Sequence, residues 1–531
     1  MNKIIDVHEV FAGYYQGVEA LAYAISKTLA DGSICLDLDV FNHSIENNDE
    51  PWQANPFREH AKPFQEMIRE GLFATYKADE AKPFVIHNGK AYLHRYFTYE
   101  TSIIDHIRRL GDRFRVITGG PGTGKTYSLA MRLAGMFDKK PESQVALAAP
   151  TGKAAARMEE AIRQFTASRH EKPLKTEIID KLNALKAKTL HRLLGFNRNS
   201  INFRHNATNP LPFDVVIVDE ASMIDGAMMA KLLDAIGENT TLFLVGDKDQ
   251  LASVEAGSVF GDICRAKESK LMKDKVEVKV ENYRAEGKNI ITFSKKLIEG
   301  EKECILHYEN NNEVFIDKPI DGKFSNELFN QEILLYKDYI TEPDIKTALK
   351  KLNRVRVLCV TREHDHSVAE ANSRIEKFLR KEVNDSMLFS PREGFYHNQP
   401  IIITKNDYNL GVNNGDVGLI RREGEVLKAC FEDAEKEVGY KVIPAGYLNH
   451  YETVFAMTIH KSQGSEFDHV VVLLPEKQAR KLLTRELLYT AVTRARKKVL
   501  VQSTPGSLAH CIEKVVSRAS GLTQRIINAQ Q

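Results

Sequence analysis

Residues 116 to 130 read VITGGPGTGKTYSLA, with Gly119, Gly124, Lys125 and Thr126 at the spacing G-x-x-x-x-G-K-T. A stretch made of Gly119, Gly120, Pro121, Gly122, Thr123 and Gly124 can turn successive backbone amides towards one point. A helix beginning near Lys125 adds the positive end of its dipole there. This arrangement suits the phosphates of a nucleoside triphosphate, with Lys125 reaching the β- and γ-phosphates and the Thr126 hydroxyl ligating Mg²⁺. Taken alone, such a loop leaves kinases, GTPases, transporters and motors all open.

Acids and an amide follow at strand ends. VVIVDEASMID brings out Asp219, suited to a water-mediated Mg²⁺ contact, and Glu220, suited to activating the attacking water. LFLVGDKDQL offers Gln250, which can touch both the γ-phosphate and the water linked to it. Two arginines stand far downstream, Arg284 in ENYRAEG and Arg494 in YTAVTRARKK. Phosphoryl transfer builds negative charge on the γ-oxygens, and an inserted guanidinium is worth about a thousandfold in rate. Arg494 is expected to be catalytic, whereas Lys497 and Lys498 read as a solvated basic end. If both arginines come from a second lobe, the triphosphate sits between lobes and its hydrolysis changes how tightly they close.

A second set of motifs points to a strand. APTGKAAARM starts a helix at Thr151 and carries Lys153, and KTLHRLLG offers Thr189 and His191. AMTIHKSQGSEF offers Thr458, His460, Lys461 and Ser462, followed by Gln463, Gly464 and Glu466. Hydroxyls, imidazoles and helix N-terminal amides at strand ends suit phosphate contacts on a single nucleic-acid strand, where positioning matters more than base reading.

The elements that must position these residues are legible as patterns. FRVITGG, QVALAAP, FDVVIVDE and TLFLVGD are short apolar runs alternating with helical stretches, which predicts parallel strands covered on both faces. RVRVLCVT, HVVVLLP and KVLVQS form a second series. Two doubly wound α/β lobes are expected, each with its ligand edge at the strand C-termini. Around 395–452 the turn signals N-N-G-D and V-G, followed by alternation, predict a small β-barrel inserted in the second lobe. The expected divisions are 1–100, a mainly helical N-terminal docking or cap domain; 101–265, the first lobe, with a short insertion near 196–212; 266–394 and 453–531, the two parts of the second lobe; and 395–452, the barrel.

Composition narrows the partners. A chain of 531 residues with net charge +2 has no general basic coat, so a nucleic-acid surface must be a local groove. Six scattered cysteines without C-x-x-C indicate neither a zinc site nor a disulfide framework. No run approaches eighteen apolar residues and the N-terminus lacks a signal-peptide core, so a cytoplasmic location is expected.

In order and spacing, GGPGTGKT, PTGKAAARM, TLHRLLG, VDEASM, GDKDQL, NYR, TIHKSQGSEF and YTAVTRA resemble superfamily 1 helicases, most closely the RecD group, the α subunit of exodeoxyribonuclease V and its stand-alone relatives. The resemblance runs from about 112 to 504 and, through VIHNGKAYLHRYFTYE, weakly towards residue 1. It implies RecA-like lobes and an ATP-driven motor moving 5′ to 3′ on single-stranded DNA. It also implies that 196–212 forms a duplex-splitting hairpin, that the inserted barrel is SH3-like, and that duplex DNA ends and RecB-like and RecC-like subunits are partners in break repair and recombination. Residue by residue it assigns Lys125 and Thr126 to phosphate and Mg²⁺, Asp219 and Glu220 to metal and water, Gln250 to γ-phosphate sensing, and Arg284 and Arg494 to the transition state. Gly464 and Glu466 go to the nucleotide, and Thr151, Lys153, His191, Thr458, His460 and Ser462 to the strand. One departure is that TSIIDHIRRLGDRFR holds no adenine-reading glutamine, so relaxed nucleotide selectivity is expected. The rival reading is an ATP-gated DNA-binding or scaffolding subunit that does not unwind. No acidic-acidic-lysine constellation supports a nuclease.

Overall fold

The computed structural model describes residues 6–529, except 71–72, 76–81, 169–172, 198–199, 201, 254, 284–285, 304–307, 309–310, 321–322, 384–393, 408, 434–435, 437 and 477–478. Six parallel strands make the first lobe, in the order Val276–Lys279, Phe114–Gly119, Thr241–Gly246, Val215–Val218, Val145–Ala149 and Ala187–Thr189. Side chains alternate between two covered faces, which is why these runs read as continuously apolar. Val116, Val216, Val218, Leu242 and Leu244 pack with the helices His94–Leu110, Gly226–Asp234 and Val259–Arg265. Ile117, Leu147, Val215, Ile217 and Val245 pack on the other side with Lys125–Lys139, Gly152–Ala167 and Thr176–Ala184.

The second lobe has five parallel strands in the order Val314–Asp317, Ala495–Gln502, Phe467–Leu473, Val355–Cys359 and Ala456–Thr458. Between Val355–Cys359 and Ala456–Thr458 the chain makes an antiparallel sheet, ordered Tyr440–Pro444, Val426–Glu432, Val417–Glu423, Pro400–Ile403 and Tyr451–Thr453. Among the described residues no ladder joins its two edge strands, so it is an open five-stranded sheet where a barrel was expected.

Four expectations need correction. Val276–Lys279 belongs to the first sheet, so the first lobe runs past 265; this edge strand alternates Val with Glu and Lys and lacks the all-apolar signature. The N-terminal region is mixed, not mainly helical: Cys35–Asp37, Lys90–Leu93, Phe84–His87 and Phe73–Thr75 form a sheet beside its helices. Within 196–212 the described residues carry one isolated bridge, Asn206 to Asn209, and no hairpin strands. The C-terminal tail leaves the second lobe, and Leu522 and Ile526 of the helix Leu522–Asn528 enter the first-lobe core.

Five cysteines are buried free thiols, and Cys304 lies outside the described residues. Among the described residues no helix is long and apolar enough to cross a membrane.

The tail is anchored by one ionic knot. Glu100 is 1% exposed and accepts from Ser520 Oγ at 2.9 Å, the Gly521 N–H at 3.0 Å and Arg525 Nη1 at 3.1 Å. Removing one partner of a buried pair leaves an uncompensated charge. Arg525→Ala is therefore expected to destabilise the first lobe by about 3 kcal/mol, read from urea unfolding. Glu100→Gln combined with Arg525→Met should recover most of that loss.

Candidate functional site

The C-terminal ends of the first-lobe strands carry the phosphate loop, Asp219 and Asp247 side by side. Gly119 is required by close approach, since a Cβ there would lie 2.6 Å from the Lys279 carbonyl. Gly124 takes φ 71° to start the helix Lys125–Lys139, a conformation that side chains disfavour. Lys125 Nζ donates to the carbonyls of Gly119 and Gly120 at 2.6 and 2.9 Å, which holds the ammonium over the loop. Thr123 is 6% exposed and its hydroxyl donates to Gly120, so its role is to brace the turn. Asn282 donates to the Pro121 carbonyl at 2.7 Å and the Tyr283 N–H to Gly122 at 3.0 Å, laying that segment on the loop. Arg284, the next residue, lies outside the described residues.

Asp219 and Glu220 sit together where the Val215–Val218 strand ends, and Asp219 accepts the Glu220 N–H at 2.8 Å. Desolvation, then the Glu220 charge, pushes the Asp219 carboxyl up to about 6, with Lys125 and Arg157 opposing. Glu220 is held at φ 52°, an uncommon conformation for a side-chain-bearing residue. Neither acid is in an ion pair among the described residues. A desolvated Asp219 with Glu220 beside it, within reach of the Lys125 charge at the end of the phosphate loop, is a donor set that fits Mg²⁺.

Sequence reading missed most of the joint between the lobes. Asp247, 2% exposed, accepts from Gln250 Nε2 at 3.1 Å and from the Tyr489 hydroxyl of the second lobe at 2.9 Å. Next to it, the Leu251 N–H donates to Thr490 Oγ1 at 2.9 Å and Gln463 Nε2 donates to the Leu251 carbonyl at 2.8 Å. Gln250 is thus nearly buried, its amide tied to Asp247. Arg494, 3% exposed, is braced by the Thr490 and Ser465 carbonyls, and the Glu220 and Glu466 charges support its cation against desolvation.

Arg157 is a further cation of this cleft. It pairs with Glu466 at 2.9 Å, and Glu466 also takes Arg496 at 3.0 Å. Glu466, then Glu220 and Asp219, raise the Arg157 guanidinium against its burial. The expected nucleotide contact at Glu466 is therefore a bridge between lobes, its carboxylate engaged by two guanidiniums. Gly464 abuts the first lobe, where a Cβ would lie 3.4 Å from Ala154. The only signal for Arg157 was its place in KAAARM, two turns into a helix that begins at a strand-facing threonine.

On the side where a strand was expected, three threonines do one job. Thr151, Thr189 and Thr458 accept the N–H groups of Ala154, Arg192 and Lys461. A capping hydroxyl that accepts a backbone N–H still has its own O–H to donate outward to a phosphate. Lys153 lies 5.7 Å from the Phe467 ring centroid, with Arg356 5.2 Å from that same ring. Burial, then Arg356 and Arg157, hold Lys153 down to about 7. His191 packs edge-on against Phe203 and Phe196, and burial lowers the His460 imidazole below its usual value. Asn413 of the inserted sheet accepts from Arg192 at 3.4 Å, so that sheet reaches the helix starts of the first lobe. Ser462 needs correction: it is 0% exposed and its hydroxyl donates to Ile459, which leaves no surface for a strand.

Residues 105–256 match the family described as AAA domain, and residues 453–501 match the UvrD-like helicase C-terminal domain. The RecBCD enzyme subunit RecD of Mycolicibacterium smegmatis is 34% identical over 96% of this chain and 93% of its own. The protein of that name from Haemophilus influenzae is 34% identical over 77% of this chain and 69% of its own. The ATP-dependent RecD2 DNA helicase of Deinococcus radiodurans is 30% identical over 75% of this chain and 47% of its own.

Arg157→Ala removes the first-lobe half of the Glu466 bridge and a cation that opposes the Asp219–Glu220 charge. The expected outcome is a fall in the kcat of ATP hydrolysis of about tenfold, measured by a coupled phosphate assay. Arg496→Ala, which keeps Arg157 on Glu466, should cost less.

Proposed function

The chain belongs to the RecD family of superfamily 1 helicases, and on that footing we propose that it hydrolyses ATP in the cleft between its lobes and so drives single-stranded DNA past them, unwinding duplexes. The observation that carries this reading is the interlobe joint. The loop that leaves the triphosphate-facing strand at Gly246 is hydrogen-bonded through Asp247 and Leu251 to Tyr489, Thr490 and Gln463 of the other lobe. A change at the γ-phosphate therefore cannot leave the lobes where they were.

In this reading the loop amides and Lys125 hold the β- and γ-phosphates, and Thr126 and Asp219 hold Mg²⁺, which would neutralise phosphate charge. Glu220 takes the proton of the attacking water, Gln250 orients that water, and Arg494 stabilises the charge gathering on the γ-oxygens, a role shared by Arg284 on the sequence resemblance. The strand lies across the caps at Thr151, Thr189 and Thr458, near Lys153, His191 and His460. Translocation runs 5′ to 3′, and the 1–100 region docks onto RecB-like and RecC-like subunits in double-strand break repair.

The test is ATPase stimulation by single-stranded DNA together with strand displacement on tailed duplexes. Lys125→Ala is expected to abolish both while sparing most DNA binding; displacement retained in that variant would refute the motor. Stimulated hydrolysis with no displacement on any tail would favour the ATP-gated scaffold.

The depressed Lys153 gives a second readout. At pH 8 a lysine held near 7 is mostly neutral in the free protein, and a phosphate seated beside it restores the cation. Binding of an oligonucleotide at pH 8 should therefore take up a proton, approaching about one per strand bound. Calorimetry in two buffers of different ionisation enthalpy measures it, and Lys153→Met should remove the uptake.

A further inference from the structure

The tail that returns to the first lobe places one side chain on the loop that follows Gln250. Arg518 Nη1 donates to the carbonyls of Ser253, Gly257 and Glu255 at 2.6, 3.0 and 3.1 Å. Ser253 Oγ reaches two of the same oxygens, Glu255 at 2.9 Å and Gly257 at 3.2 Å. Three carbonyl dipoles aimed at one point repel each other unless a donor stands among them, and a guanidinium supplies that donor with its charge. Its other face lies on the N-terminal domain, where a Cβ on Gly32 would meet Arg518 Cζ at 3.1 Å. Around it the Gly257 N–H donates to the Gly32 carbonyl at 2.9 Å, the Ile34 N–H to Ala519 at 2.8 Å, and the Ala519 N–H to Ser33 Oγ at 3.0 Å. N-terminal domain, tail and loop meet at this one guanidinium.

The clamped loop begins two residues after Leu251, whose backbone bonds to Thr490 and Gln463, and three after Gln250, which bonds to Asp247. We propose that Arg518 is a positioning residue for ATP hydrolysis: by gathering the Ser253, Glu255 and Gly257 carbonyls it fixes the register of Gln250 and Leu251 against the second lobe, and it ties that register to the N-terminal domain. This rests on the hydrolysis reading above and adds a residue that touches neither nucleotide nor strand. Anything that shifts the Gly32–Ile34 edge of the N-terminal domain is thereby felt in the ATP cleft. Arg518 also holds down the His460 imidazole, after burial, so the same charge faces the strand-facing segment of the second lobe.

The test uses the full chain. Arg518→Ala is expected to lower the kcat of single-strand-stimulated ATP hydrolysis about tenfold or more, while KM for ATP and affinity for an oligonucleotide move less than about twofold. Arg518→Lys keeps a cation among the carbonyls and should recover part of kcat, which preserves the test if the alanine variant folds poorly. Thr523→Ala removes the tail hydroxyl that bonds Asp262 at 3.0 Å and controls for loosening of the tail, with kcat unchanged. Hydrogen exchange without nucleotide or DNA is the independent readout: the Leu251 and Gly257 amides should exchange about tenfold faster in Arg518→Ala and not in Thr523→Ala. Unaltered exchange in the variant overturns the clamp, and faster exchange with unaltered kcat overturns the positioning role. If the unaltered chain hydrolyses no ATP, the motor reading fails, and the exchange data still decide whether the clamp exists.

Discussion

A buried carboxylate shared by two lobes, Asp247, is the constraint on which the rest depends. Burial raises its pKa, and Lys125 is the largest influence that opposes the shift. Its partners come from both sides: Gln250 from the same loop and Tyr489 from the second lobe. A desolvated acid with an incomplete set of donors is costly, so the pairing penalises separation of the lobes more than an apolar contact of the same size would. Lys125, the lysine proposed to hold the phosphates, is a charge that acts on this acid. A triphosphate that draws the Lys125 charge onto itself therefore alters the electrostatics of the joint.

The same economy holds across the strand-facing side. Thr189 and Thr458 end strands and Thr151 follows one by two residues, and each caps the helix or turn that comes next. Capping satisfies amides that would otherwise lack partners, so these threonines are structural before any strand arrives, and the outward O–H is what remains for phosphate. Arg157 links the two surfaces, because its helix begins at the Thr151 cap and its guanidinium ends among Glu466, Glu220 and Asp219. On the proposed strand contacts, a displacement of that helix would move a cation inside the proposed ATP cleft. Coupling here needs no long chain of contacts, only the stiffness of one helix.

What could be read in the sequence was what chemistry confines to a short span. The phosphate loop, Asp219 with Glu220, and the all-apolar strands each carry their meaning locally, because a strand covered on both faces must be apolar throughout. Val276–Lys279 escaped because an edge strand obeys a weaker rule and mixes Glu and Lys with Val. Ser462 was misread because a hydroxyl beside a histidine looks alike whether it faces solvent or donates to its own turn. Tyr489, Thr490 and Gln463 were quoted within motifs without roles, since their meaning depends on a loop more than two hundred residues away in sequence. The tail was unreadable for the same reason, as Arg518 and Arg525 acquire function only from carbonyls and a carboxylate supplied by distant segments.

The tail changes how the lobes can move. A chain that crossed between them once, after Lys279, would leave rotation about that crossing nearly free. Here the chain crosses again after Glu513, and the second crossing is anchored at both ends: Leu508, Cys511 and Ile512 in the second-lobe core, Leu522 and Ile526 in the first. Two tethers at separate points define an axis, and motion about an axis is a hinge. The Ser253 and Gly257 carbonyls lie against the second tether and the phosphate loop lies beside the first, so the proposed nucleotide site falls between the two points that set the hinge.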